Sequence, residues 1–115
     1  MLLNLSNHPS NLWPQNQTAL AIEKYGEIQD LPFPNINPEI EAYELDQLAE
    51  EYEIKIRKLN PTAVHLMGEL TFTFRLVNRL KAIGVNCIAS TTSRNVIEKD
   101  GAKTSVFAFV SFRAY

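Results

Sequence analysis

Short apolar runs alternate along this chain with longer stretches of helical period, and Gly, Pro or small polar residues mark each switch. This alternation is the mark of βαβ units and restricts the chain to a mainly parallel sheet flanked by helices. The first strand covers residues 2–5 or 2–6 and ends in Ser6-Asn7-His8-Pro9-Ser10-Asn11. A helix starts near Trp13-Pro14, where proline's missing N–H costs nothing; Ser10 or Asn11 is the expected cap and Gly26 the close. Residues 28–33 read as an edge strand, cut off by Pro32 and Pro34. Asn37-Pro38-Glu39 reads as the start of a second helix, whose stripe of Leu45, Leu48, Tyr52 and Ile56 runs to about Leu59. Residues 63–67 form a third strand, apolar enough for burial on both faces, and Gly68 breaks it before a helix over 70–83 closed by Gly84. Residues 85–89 form a fourth strand ending in Ser90-Thr91-Thr92-Ser93-Arg94. A hairpin over 95–99 and 104–112 turns at Asp100-Gly101, and its run 106–110, apolar at every residue, is expected inside the protein. Three right-handed crossovers and a hairpin give an α/β, Rossmann-like, mainly parallel sheet with helices on both faces and a C-terminal antiparallel β-hairpin. One domain over residues 1–115 is expected.

Bulk properties narrow the function. At 115 residues the chain buries only about two-thirds of its unfolded surface, so a homodimer is a natural source of stability. A formal charge of −2 gives no field that draws duplex or single-stranded nucleic acid or anionic lipid, though local groups can still hold a small anion. The single cysteine, Cys87, excludes an internal disulfide and a cysteine-ligated zinc site, and in its apolar run it reads as a core residue. The first residues lack the basic and long apolar regions of a secretory signal, and no stretch has transmembrane length, so a cytoplasmic location without membrane contact is expected.

Chemistry is expected beyond the carboxyl ends of the parallel strands, where loops and helix amino termini converge. Strand one delivers Ser6, Asn7, His8 and Ser10; strand three delivers Gly68, Glu69, Thr71 and Thr73; strand four delivers Ser90, Thr91, Thr92, Ser93 and Arg94. Hydroxyls, amides, an imidazole and a guanidinium suit a phosphate or nucleotide better than a metal. Neither a GxGxxG fingerprint nor a GxxxxGK[ST] loop is present, which weighs against ordinary dinucleotide or triphosphate binding, and a GxSxG elbow is absent too. His8, in an extended turn before Pro9, can point into a cleft, whereas His65, inside an apolar strand, reads as a satisfied core histidine. Ser6 and Ser10 can equally be caps and Arg94 a charge that guards a sheet edge, while Trp13 and Tyr25 read as helix-face packing rather than base-stacking platforms, and Gly68 as a tight backbone turn whatever the ligand. The acids of the second helix fall off its apolar stripe and read as a solvated face.

The opening Leu-Asn-Leu-Ser-Asn-His-Pro-Ser, the strand end His65-Leu66-Met67-Gly68-Glu69 and the tail from Ala89 through Arg94 into the hairpin resemble small CRISPR-associated proteins with a CARF-like Rossmann domain, among them the single-domain ring nucleases of type III systems. The resemblance implies a homodimer that binds a cyclic oligoadenylate across its two-fold axis and cleaves it without metal or other cofactor. A ribose 2′-OH would attack the adjacent phosphate and leave a 2′,3′-cyclic phosphate. By position, Ser6, Asn7, His8 and Ser10 match the family's first-strand ligand loop, and Gly68, Glu69 and Thr71 its glycine-containing loop. Thr92 and Arg94 match the third loop. His8 is then the acid or base, with Arg94 or backbone N–H groups on the phosphate. No lysine occurs in the three loops. The alternatives are a non-catalytic sensor of the same messenger acting through a partner, and a structural subunit whose polar strand ends are only caps and turns.

Overall fold

A computed structural model describes residues 1–115. Its β-strands are β1 (Leu2–Ser6), β2 (Ile28–Asp30), β3 (Ala63–Met67), β4 (Cys87–Lys99) and β5 (Ala102–Ala114). The helices are α1 (Gln15–Tyr25), α2 (Ala42–Leu59) and α3 (Leu70–Ala82), with a 3₁₀ turn at Ser10–Leu12. The strands form one mixed sheet in the order β2-β1-β3-β4-β5; the first four are parallel and β5 runs antiparallel to β4. Side chains alternate across it. Leu3, Leu5, Val64, Leu66 and Cys87 pack under α2 and α3, while Leu2, Ala63 and Ile88 pack with Trp13 and Ala21 on the α1 side. The sheet is therefore covered on both faces, and β2 lies at its edge as expected.

Three elements differ from their sequence-based expectation. The second helix begins at Ala42 rather than near Pro38: Asn37 Oδ1 accepts the Glu39 N–H in an isolated turn, and Leu31, Phe33, Ile36 and Ile40 reach the core from irregular backbone. The edge strand stops at Asp30, before Pro32.

The third difference concerns the tail. Ser90-Thr91-Thr92-Ser93-Arg94 is not a loop but the middle of a 13-residue strand paired with an equally long β5. Strands β1 and β3 have only five residues each, so the outer part of β4 has β5 as its one neighbour in the sheet, and the exposed hairpin projects as an arm. The run 106–110 is consequently exposed apart from Phe109 rather than interior. The arm raises the radius of gyration to 15.8 Å, against about 13 Å for a compact chain of this length. Asp100 and Gly101 both take positive φ at its tip, as the expected hairpin turn requires.

A bulge shapes the base of the arm. Thr91 pairs with Ser111 but Thr92 pairs with Phe109, which leaves Val110 as the extra residue. That insertion brings Phe109 and Phe112 to the same face, with ring centroids 5.0 Å apart, on the α1 side of the sheet.

Candidate functional site

The residues that alternate onto the α1 face at the carboxyl ends of the strands are mostly polar: Asn4 and Ser6 from β1, His65 from β3, Ser90 and Thr92 from β4. Strand order reverses between β1 and β3, the place where open parallel sheets form ligand crevices. There a hollow of about 270 Å³ opens, with His8, Gln17, His65, Ser90 and Thr92 among its polar lining and Trp13, Met67, Phe107 and Phe109 among its apolar walls.

A continuous chain of hydrogen bonds runs beneath it. Asn4 Nδ2 donates to Asp30 Oδ1 (2.8 Å) and to the His8 carbonyl (2.9 Å), which turns Asn4 Oδ1 toward His65 Nδ1 (2.9 Å). An amide oxygen only accepts, so His65 carries its proton on Nδ1 and its Nε2 is the acceptor. Ser90 Oγ, 2.7 Å from that Nε2, donates to it, and Oγ in turn accepts from Gln17 Nε2 (3.1 Å). His65 is 2% exposed, and burial, followed by the charge of nearby His8, pulls its pKa down to about 4. The imidazole is neutral at pH 7. Trp13 and Phe112 hold the ring edge-on, at 5.1 and 5.7 Å between centroids.

The first-strand loop is fixed by the same atoms. The His8 carbonyl accepts from Asn4 Nδ2 and Trp13 Nε1, so the backbone is pinned while His8 lines the hollow. Ser6 is buried, bonded to Asn4 Oδ1 and accepting the His8 N–H. Ser10 does not cap α1; its hydroxyl and N–H both bind the Asp30 carboxylate. No side chain caps α1, so its amino end stands free at the rim, beside Pro14 and Gln17.

The other expected residues lie elsewhere. Asn7 and Glu69 border a shallow depression with Phe33 and Ile36, and Glu69 and Thr71 also border a hollow of about 400 Å³ beside α2. That hollow is the larger, but its charged groups are already engaged. The Glu69 carboxylate accepts from the Thr71 and Phe72 N–H groups and from the Thr71 hydroxyl, chiefly the last of which lowers its pKa, and Arg75 pairs with Asp46 at 2.7 Å. The amino end of α3, expected to receive an anion, is occupied by its own cap. Gly68 has the Phe33 ring packed where a Cβ would stand, so this glycine serves close packing. Thr73 is buried, its hydroxyl without a partner. Arg94 follows Ser90 and Thr92 along the same row of β4 but does not line the hollow; it donates to Ser105 Oγ at 3.0 and 3.1 Å.

Of the expected site residues, the structure thus gathers His8 and Thr92 at one hollow, with Ser6 and Ser10 bracing its floor. Asn7, Gly68, Glu69 and Thr71 fall outside it. The sequence reading missed Asn4, Gln17, Asp30, His65 and Ser90 as a connected group. One signal was available: Asn4 and His65 are the only strongly polar residues within two otherwise apolar buried runs, and such groups need partners.

Cys87 is buried and its thiol is pushed up to about 11 by that burial, in keeping with a core role. No group of three or more His, Cys, Asp or Glu side chains is placed to hold a metal ion. No helix is long and apolar enough to cross a membrane.

No curated protein and no solved structure matches the chain. A family model described as "Uncharacterized protein MJ1673 family" matches residues 1–113, and the chain belongs to that family.

Proposed function

We propose that the chain is a CARF-like, Rossmann-like protein that binds a cyclic oligoadenylate at the α1-side hollow and cleaves it without metal, as the ring nucleases of type III CRISPR systems do. The observation that carries this reading is the meeting of His8, Ser90 and Thr92 with Trp13, Phe107 and Phe109 around one hollow at the carboxyl edge of the sheet. Aromatic walls suit a base, and hydroxyls and an imidazole suit the phosphodiester beside it. The uncapped amino end of α1 adds N–H groups of the right polarity for a phosphate. The strand order is that of doubly wound sheets of the flavodoxin type, which supports the Rossmann-like assignment.

The hollow, about 270 Å³, falls just below the usual size of ligand sites, roughly 300–1,000 Å³. It suits one nucleotide unit, so a ring would be held by two copies in a homodimer. Val96, Ile97, Val106, Phe107 and Val110, exposed on the arm, supply apolar surface for that second copy. The reaction is attack of a ribose 2′-OH on the adjacent phosphorus, with His8 moving a proton. Arg94 reaches the phosphate after releasing Ser105. No cofactor takes part, and the protein acts in the cytoplasm.

Incubation with labelled cyclic tri-, tetra- and hexa-adenylate in EDTA tests the proposal. Linear products ending in a 2′,3′-cyclic phosphate are expected. Retention of a ring without products would favour a sensor, and neither binding nor products would refute both. His8→Ala should lower the cleavage rate by about 100-fold or more with little change in binding; unchanged turnover would remove His8 from the mechanism.

A further inference from the structure

The proposed reaction needs two proton transfers, one from the attacking 2′-oxygen and one to the departing 5′-oxygen, and His8 alone supplies only one group at the surface of the hollow. A second group lies in its floor. Ser90 is half-buried and lines the hollow, with its hydroxyl hydrogen directed at His65 Nε2, 2.7 Å away. Every donor in the chain beneath points the same way: Gln17 to Ser90, Ser90 to His65, His65 to Asn4, Asn4 to Asp30. One lone pair of Ser90 Oγ takes the Gln17 N–H and the other is open.

We infer that Ser90 is a catalytic residue that accepts the ribose 2′-proton while passing its own proton to His65, with Asn4 and Asp30 positioning the imidazole. This assignment rests on the nucleotide reading of the hollow. As the 2′-oxygen bonds to phosphorus, its proton moves to Ser90 Oγ and the original Ser90 proton moves to His65 Nε2. The bond from phosphorus to the 5′-oxygen breaks, and that oxygen takes a proton from the His8 imidazolium. The imidazolium formed at His65 keeps its Nδ1–H on Asn4, and the Asp30 carboxylate, one hydrogen bond further, opposes the new charge. Exchange with water then returns a proton to His8 and removes one from His65. No net proton is gained or lost.

The order of roles follows from placement. His65 borders the hollow but is only 2% exposed, and both its ring nitrogens are engaged, Nδ1 by Asn4 and Nε2 by Ser90, so it acts as a positioning residue and proton store behind Ser90. Burial keeps the ring unprotonated at neutral pH, so the acceptor is ready, but it is a weak base and slow turnover is the consequence. The Ser90 backbone N–H donates to the Met67 thioether at 3.2 Å, past the last register pair of β3 with β4, where the Leu66 carbonyl accepts from the Tyr115 hydroxyl instead. A thioether is a weak acceptor, which leaves that N–H free to turn to a phosphate oxygen.

The test uses the full-length protein with cyclic tri-, tetra- and hexa-adenylate under single-turnover conditions, and compares wild type with Ser90→Ala and His65→Gln. Glutamine can keep both hydrogen bonds, accepting from Ser90 and donating to Asn4, but cannot take a proton. His65→Gln should therefore melt and bind as wild type does while cleaving about 100-fold more slowly. Ser90→Ala should show the same division between binding and rate. A wild type that cleaves while both variants keep its rate overturns the relay alone. A wild type that binds a ring but leaves it intact overturns the relay while the nucleotide site stands, and one that neither binds nor cleaves any of the three overturns the nucleotide reading and the relay with it.

Discussion

At the scale of single residues, the pairing of Asn4 with His65 decides the chemistry of the hollow. They are register partners on β1 and β3, and Asn4 Oδ1 satisfies a ring N–H of His65 that would otherwise be buried and bare. His65 also couples folding to pH. Its folded pKa, about 4, lies below the unfolded value of 6.5. The unfolded chain therefore binds more protons between those values, and the contribution to stability is complete above pH 6.5 and fades as pH falls toward 4. The charged neighbours are His8 from the β1 loop and, through Asn4, Asp30 at the end of β2; Arg94 lies further out on β4. Between pH 7.5 and 4.5 the wild type should lose roughly 2.5 kcal/mol more stability than His65→Gln. Chemical denaturation of the two proteins at both pH values checks this, and equal losses would contradict it. The same pair shows where reading the sequence stops. A histidine within an apolar strand is visible there, but its contact with Asn4, 61 positions away, exists only once β1 and β3 pair.

At the scale of elements, the alternation of strand and helix is legible because each element carries its own period and punctuation. Gly26, the Asp100-Gly101 turn and the buried runs of β1 and β3 fall where expected. What the pattern does not carry is the length of neighbouring strands. An apolar run such as 106–110 predicts two covered faces, but β4 and β5 run on past the short β1 and β3 and out of the helix layers, so all of it but Phe109 is exposed. Local chemistry misleads at Pro38 as well, since an Asn-Pro-Glu start serves an isolated turn as readily as a helix. Gly68, at the junction of β3 and α3, belongs to this scale too. Its missing side chain lets Phe33 lie on the backbone, edge-on to Phe72 at 5.4 Å between centroids. Gly68→Ala must displace that ring and should cost roughly 1–3 kcal/mol. Combined with Phe33→Leu the loss should be less than additive. Thermal melts of the three variants read this out; an unchanged Gly68→Ala midpoint would show that the ring moves freely.

At the scale of the whole molecule, the two faces of the sheet have divided labour. The α2–α3 side holds the larger apolar cluster and the self-capped α3, with its polar groups bound among themselves. The α1 side holds the smaller cluster, the hydrogen-bonded floor and the open hollow, and the arm extends the wall with Phe107. Polar strand ends are legible in the sequence as a set, but which face each one serves depends on the alternation along its own strand. Hence Glu69 and Thr71, read alongside His8, stand on the other side. The proposed site for a cyclic oligoadenylate is the α1-side hollow, and titration of labelled cyclic tetra-adenylate into wild type, Thr92→Trp and Thr71→Ala separates it from the hollow beside α2. Thr92→Trp fills the hollow and should abolish binding, while Thr71→Ala should bind as wild type does. Binding that survives Thr92→Trp, or is lost with Thr71→Ala alone, would place the ligand elsewhere.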